Sequence, residues 1–227
     1  MSERRWLKRR PRGFPTWPRR RPVRLLRRVL FSLGVQTLVR IGYGMEVRGR
    51  EHLQSVGEPC LIVSNHCQHV DMANLLRAMP TGFRQRVAIA ASAGDIFGNP
   101  ARGFVSALLG NAFPFAQEGG GIRDSLVNVS RMTSEGWNVL IFPEGQLTVM
   151  GPMQPFKGGV GLLAKETGVP VIPMRIDILR PGPMEGAKWH PNPRGRIRVS
   201  IGPRVLVGRE LRYAEATALL EAAVRNA

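Results

Sequence analysis

Residues 60–76 read Cys60-Leu61-Ile62-Val63-Ser64-Asn65-His66-Cys67-Gln68-His69-Val70-Asp71-Met72-Ala73-Asn74-Leu75-Leu76. The stretch opens on a short continuous apolar run, which marks a strand buried on both faces. It closes on a helical run carrying Leu75, Leu76 and Met79. A polar segment joins the two. The same alternation recurs from residue 43 onward. Further strands are expected at Glu46–Gly49, Val87–Ala91, Ala112–Phe115, Val139–Phe142, Val171–Ile176 and Arg196–Ile201. Helices are expected at about 70–79, 95–109, 121–136, 157–167 and 213–225. Short apolar strands alternating with helical runs predict an α/β layer fold with a largely buried sheet. No internal repeat or interdomain linker interrupts the chain after residue 42.

Functional groups in α/β folds gather where strands hand over to helices, so the polar segment after Val63 stands at a favourable address. His66 and Asp71 are five residues apart. Inside one helix that spacing turns about 500°, leaving them roughly 140° apart around the axis. They can meet only if His66 sits in the loop and Asp71 in the first helical turn, where a carboxylate also suits the helix dipole. A carboxylate on one imidazole nitrogen sets the tautomer and leaves the other nitrogen free to take a proton from a hydroxyl. His69 competes for the same carboxylate. His66, His69 and Asp71 lack a clear fourth ligand, so no metal site is expected. Cys67 adjoins His66, but neighbours in sequence point apart, which speaks against a thiol nucleophile.

Val139-Leu140-Ile141-Phe142-Pro143-Glu144-Gly145-Gln146 ends another apolar strand in a turn. Pro143 stops the ladder, and Gly145 permits close approach or positive φ. Glu144 could accept a hydrogen bond from a substrate hydroxyl; an ordinary turn with a solvated Glu is the competing reading. Phe156-Lys157-Gly158-Gly159 opens a helical run, where Lys157 would strengthen the anion affinity of a helix start. Val169-Pro170-Val171-Ile172-Pro173-Met174 reads as scaffold. No G-x-S-x-G elbow and no phosphate-binding P-loop are found.

The chain has 227 residues, with 33 Lys and Arg against 16 Asp and Glu, a formal net charge of +17. Residues 1–28 hold 12 of the basic residues and one acid, Glu3, so the rest is only mildly basic. Two cysteines, Cys60 and Cys67, exclude a disulfide scaffold and suit a reducing compartment. Residues 1–22 contain Pro11, Pro15, Pro18 and Pro22 among arginines, and predict a flexible arm. Residues 23–42 predict an amphipathic helix, with Leu26, Val29, Leu30 and Leu33 on one face and Arg24, Arg27 and Arg28 on another. Such a helix can lie in an anionic membrane interface, apolar side down and arginines at the headgroups. Packing on the domain with solvated arginines is the alternative. Nucleic acid suits the arm but not the apolar face, and no stacking platform or zinc-finger pattern accompanies it. No run reaches the length of a spanning helix. Arg27-Arg28 precede the apolar run Val29–Val39 as in an export signal, but no small-x-small cleavage site follows. The expected location is peripheral, at the cytoplasmic face of a membrane.

Four blocks, taken together and in order, resemble the lysophosphatidate/glycerol-phosphate acyltransferase family. They are Asn65-His66-x4-Asp71, Gly110-Asn111-Ala112-Phe113-Pro114-Phe115, Phe142-Pro143-Glu144-Gly145 and Val169-Pro170-Val171-Ile172-Pro173. The resemblance covers about residues 43–205, within an expected domain of 43–227. It implies a mixed, largely parallel central sheet flanked by helices, no cofactor, an acyl-CoA or acyl carrier protein donor and a lysophospholipid acceptor. It further implies His66 as general base and Asp71 as its orienting partner, with Asn65, Glu144 and Gly145 around the acceptor.

Three departures carry chemical content. Gln117 stands where the family's second block usually ends in Arg. Gly145-Gln146-Leu147 replaces Gly-Thr-Arg. Ala90-Ala91-Ser92-Ala93 lacks a frequent Lys. These basic residues normally meet the acceptor phosphate, and each charge-assisted contact is worth about 1.5–3 kcal/mol. Lys157, Arg123 and Arg84 are the candidate replacements. The leading expectation is acyl transfer to 1-acyl-glycerol 3-phosphate, giving phosphatidate. The alternatives are a lyso-lipid with a less charged head, and a basic membrane- or nucleic-acid-binding protein with a vestigial site.

Overall fold

The computed structural model describes residues 14–54, 59–68, 70–116, 121–148, 151–185, 188–189 and 194–227. Seven strands form one sheet: β1 (Tyr43–Arg48), β2 (Leu61–Ser64), β3 (Val87–Ser92), β4 (Ala112–Phe115), β5 (Asn138–Ile141), β6 (Val171–Arg180) and β9 (Gly195–Ile201). Their order is β1-β9-β6-β2-β5-β3-β4, and every neighbouring pair is parallel except β6 with β9. The expected mixed, mostly parallel sheet is therefore present. A small hairpin of β7 (Met184–Glu185) and β8 (Lys188–Trp189), too short to leave a periodic signal, precedes β9.

Helices α3 (Asp71–Ala78), α4 (Thr81–Arg84), α5 (Pro100–Gly110), α6 (Ile122–Ser134), α7 (Gly159–Thr167) and α8 (Tyr213–Arg225) follow the strands. The central strands are buried on both faces, and their side chains alternate between two cores. Ile62, Leu140, Ile172 and Met174 pack toward Leu75 and Leu76 of α3. Leu61, Val63, Val139 and Ile141 pack toward Met132 of α6, Leu163 of α7 and Leu220 of α8. Two boundaries differ from the sequence reading for identifiable reasons. α5 starts at Pro100 rather than near residue 95, because the Asn99 side chain accepts from Arg102 N and proline suits the first helical turn. β6 runs on to Arg180 because β9 pairs along it, with a bulge between Ile178 and Arg180.

The N-terminal region corrects two expectations. Residues 1–13 of the expected arm lie outside the described residues, but Phe14, Trp17, Pro18 and Arg19 pack on the domain. Phe14 meets Phe113 with ring centroids 5.7 Å apart, and Trp17 stacks on Phe104 at 5.1 Å. Pro18 and Pro22 do not prevent helix here. Each stands in the first turn, of the 3₁₀ turn Trp17–Arg19 and of α1 (Arg21–Val29), where proline costs no intrahelical bond.

A six-residue π-helical segment, Leu30–Val35, joins α1 to α2 (Gln36–Gly42). The arginine face was expected to meet solvent or headgroups, yet Arg27 points inward. Its Nε donates to Leu108 O at 2.6 Å, and its Nη2 donates to Pro18 O at 2.6 Å and Ala107 O at 3.3 Å. Leu108 and Ala107 lie in the last turn of α5, whose unpaired carbonyls favour a cation. The apolar face is the one left outside. Leu25, Leu26, Val29, Leu33, Leu38 and Ile41 are all exposed, Leu33 by 74%. Among the described residues, no helix is long and apolar enough to cross a membrane.

Candidate active site

β2 and β5 are adjacent in the sheet, with Leu61 opposite Val139 and Val63 opposite Ile141. Their parallel course brings the loop after β2 and the loop after β5 to the same sheet edge. His66 and Asp71 come from the first loop and from the start of α3. Their side chains meet, Nδ1 to Oδ2, at 3.0 Å. Asp71 is fully buried, and its Oδ2 also accepts from Cys67 N at 2.6 Å and Gln68 N at 2.7 Å. Three donors and the helix N-terminus compensate the burial of this carboxylate. They also hold it still. With the proton on Nδ1 facing Asp71, His66 presents Nε2 as an acceptor. The His66 side chain retains 25% of its exposure, so the ring edge is accessible. Its face lies on Phe142, centroids 4.4 Å apart.

Glu144 does something the turn alone did not indicate. It is buried, with Oε1 accepting from His66 N at 2.7 Å. Its Oε2 accepts from Thr148 Oγ1 at 3.0 Å and Gln154 N at 2.7 Å. Thr148 N in turn donates to His66 O at 2.8 Å. Glu144 thus clamps the backbone of His66, a contact that the sequence reading did not anticipate. Asn65 is also a fastener. Its Nδ2 donates to Ile176 O at 2.9 Å and its Oδ1 accepts from Ile176 N at 2.8 Å, tying the end of β2 to β6. Gly145 has φ of 74°, which lets the chain reverse tightly beside Phe142. Thr148, Gln154 and Phe142 are the residues missed from sequence. Of these, Phe142 carried a signal, as an aromatic ending a strand beside the Pro-Glu-Gly turn.

Replacing Glu144 by Ala leaves three donors without their acceptor, two of them backbone groups. Each buried donor left unpaired costs about 1–3 kcal/mol, so the variant is expected to unfold at clearly lower urea and to lose turnover as His66 loosens. Glu144→Gln, which keeps one acceptor oxygen, is expected to fall between. Urea denaturation alongside kinetics checks both.

A cavity of about 300 Å³ opens beside the Phe142–His66 stack at the ends of β3 and β5. Phe115, Leu126, Phe142, Val160 and Leu163 make much of its wall, and Gly145 and Lys157 also line it. Lys157 is exposed, and its backbone N donates to Pro143 O at 2.9 Å just ahead of α7. Of the other candidate cations, Arg84 is not brought here. Arg84 stands over Phe31 at 5.0 Å, in a groove lined by Leu76 and by Val87 at the opposite end of β3. Arg123 falls in the first turn of α6, its side chain outside the described part of the structure; Gln117 and His69 are likewise outside it.

Cys67 is not set up as a nucleophile. Its Sγ lies 3.8 Å from Asp71 Oδ1 and from Ile176 O. Burial, reinforced by the Asp71 carboxylate, pushes the thiol well above the ordinary cysteine range. The reactive thiolate is therefore scarce at neutral pH. Cys67→Ser is expected to change kcat by less than about threefold, and iodoacetamide at about pH 7.5 to alkylate Cys67 more slowly than free cysteine. A large kinetic loss in the serine variant would point to thiol chemistry instead.

Residues 44–177 match the Acyltransferase family model, which is more than half of the chain. The chain belongs to the acyltransferase family. A 1-acyl-sn-glycerol-3-phosphate acyltransferase of Brassica napus, the chloroplastic BAT2, is 31% identical over 162 residues, 70% of this chain and 44% of the relative. The human 1-acyl-sn-glycerol-3-phosphate acyltransferase beta is 33% identical over 134 residues, 59% of this chain and 46% of the relative. The Pseudomonas aeruginosa enzyme of the same name is 31% identical over 171 residues, 74% and 61% respectively. The chain thus spans about half the length of the curated relatives it matches. The crystal structure of the Thermotoga maritima 1-acyl-sn-glycerophosphate acyltransferase, PlsC, shares the fold. Its TM-score is 0.64 at 19% identity, covering 98% of this chain and 84% of that one. Family membership and fold agree with the order of the four sequence blocks.

Proposed function

We propose that this protein moves a fatty acyl group from a thioester donor, acyl-CoA or acyl carrier protein, to the free hydroxyl of 1-acyl-glycerol 3-phosphate, forming phosphatidate. The observation that carries the reading is His66: held on Nδ1 by Asp71, clamped through its backbone by Glu144, partly exposed, and stacked on Phe142, which lines an apolar cavity. Nε2 takes the proton of the acceptor hydroxyl as its oxygen attacks the thioester carbonyl. The new C–O bond forms, the C–S bond breaks, and the imidazolium returns its proton to the departing thiolate. Asp71 keeps the ring in the productive tautomer and stabilises the transient imidazolium. No covalent acyl-enzyme step is needed, which fits the lack of an activated Ser or Cys beside His66 among the described residues.

Lys157 is the cation that supports a phosphorylated acceptor. It lines the cavity together with Gly145, and takes the place of the Arg that position 147 lacks. The exposed apolar face of α1 and α2 fits a peripheral, interfacial placement.

Lys157→Gln is expected to raise KM for 1-acyl-glycerol 3-phosphate about tenfold or more, as loss of one charge-assisted phosphate contact predicts, with a smaller change in kcat. Steady-state kinetics on a panel including a lyso-lipid without a terminal phosphate checks it. Faster transfer to that lipid than to the phosphorylated acceptor would assign the site to a less charged head group.

A further inference from the structure

A second basic site lies apart from His66. Arg24, Arg27, Arg28 and Arg84 line one groove between the N-terminal helix and the start of β3, with Phe31, Leu76 and Val87 as its apolar wall. Its volume, about 50 Å³, accommodates a group of phosphate size. No Asp or Glu lines it. Arg27 is committed to the α5 carbonyls, and Arg84 donates to Leu76 O at 3.4 Å and to Thr81 Oγ1 at 3.3 Å. Arg24 rests over Trp137 at 5.4 Å. Among the described residues, neither Arg24 nor Arg28 has a carboxylate partner. Burial pushes Arg27 down to about 10, helped by Arg19 and Arg24, and burial lowers Arg84 too, helped by Arg28. Crowded guanidinium groups without an acid are an unbalanced charge, and a bound anion relieves it. The same helix carries Leu25, Leu26, Val29 and Leu33 outward. A helix lying on a bilayer through that face would hold the groove at headgroup depth.

We propose that the groove bounded by Arg24, Arg28 and Arg84 takes the phosphate of an anionic lipid headgroup, as a docking site separate from the reaction site. The proposal rests on the interfacial reading of the N-terminal helix given above. A phosphate there offsets part of the cluster's charge, and the acyl chains of the same lipid continue along the exposed leucines.

The test is vesicle flotation of the full chain. Phosphatidylcholine vesicles carry either phosphatidate or oleate, matched in surface potential so that bulk electrostatics is equal. Wild type is expected to prefer the phosphatidate vesicles about tenfold or more, because guanidinium pairs bidentately with phosphate. Arg28→Gln/Arg84→Gln is expected to abolish that preference. The charge-matched Arg20→Gln/Arg21→Gln, at exposed positions outside the groove, is expected to weaken binding to both vesicles and keep the preference. Leu26→Ser/Leu33→Ser is expected to weaken both and keep it as well. Retained preference in Arg28→Gln/Arg84→Gln, or equal loss in Arg20→Gln/Arg21→Gln, overturns the groove. Unchanged binding in the leucine variant overturns the interfacial reading alone, and the groove is then judged on the preference. Wild type floating with neither vesicle overturns both. Loss of the wild-type preference in about 20 mM inorganic phosphate at constant ionic strength assigns the groove to a soluble phosphate rather than a lipid.

Discussion

His66→Ala is expected to lower kcat for acyl transfer by at least about 10²–10⁴-fold, the usual cost of losing a general base. The reason lies in what surrounds the ring. The Cys67 thiol is held protonated, and Asp71 is sealed under its three donors, so neither group can take over the role of Nε2. Binding should suffer less. The cavity wall is built by Phe115, Phe142, Val160 and their neighbours, and it survives the substitution. The loss should therefore appear in kcat and only weakly in KM. The fold should persist, because Asp71 keeps two backbone donors, and Glu144 binds the backbone of residue 66 rather than its ring. Circular dichroism and a urea titration of the variant, run beside the kinetics, separate a catalytic loss from an unfolded protein.

Asp71→Asn comes next in size, with an expected loss of about 10²–10⁴-fold. Asparagine is nearly isosteric and can still accept from Cys67 N and Gln68 N through its oxygen. All three donors meet Oδ2, so an amide oxygen placed there still accepts from the protonated Nδ1 and keeps the tautomer. It carries no charge, however, and no longer stabilises the imidazolium that forms as the hydroxyl loses its proton. Asp71→Ala adds a structural penalty, since three donors lose their acceptor in a fully buried place. The two variants should differ in stability more than in activity. Equal activity of Asp71→Asn and wild type would mean that His66 does not work as a base oriented by this carboxylate.

Much of this arrangement was legible in the amino-acid order. The run Cys60–Val63 is apolar on every residue because β2 lies between β6 and β5 with both faces covered, so no alternation was there to mislead. His66 and Asp71 follow from the same locality: a loop residue and a first-turn residue after a buried strand. Glu144 was harder. Its role depends on β2 and β5 being neighbours, a contact between residues 78 apart, and nothing near Pro143 records that pairing. Asn65 with Ile176 is a similar case at a separation of 111.

The N-terminal helix shows a different limit. Its sequence displays two faces but does not say which one meets the protein. Leucines inward is the ordinary expectation for a soluble domain. Here the carbonyls at the end of α5 draw Arg27 in, and the leucines turn outward. Proline counting likewise missed the helical turns at residues 17–22, because proline obstructs a helix in its interior and not in its first turn.

The central claim is that His66 drives acyl transfer to a phosphorylated lysolipid. It is tested most directly by incubating the full chain with a radiolabelled acyl thioester and 1-oleoyl-glycerol 3-phosphate in mixed micelles, and resolving the lipid products. The donor is supplied as acyl-CoA and, separately, as acyl carrier protein. Labelled phosphatidate formed by the wild type and lost in His66→Ala is the predicted result. Phosphatidate formed equally by both proteins, or none formed by the wild type with either donor, would contradict it.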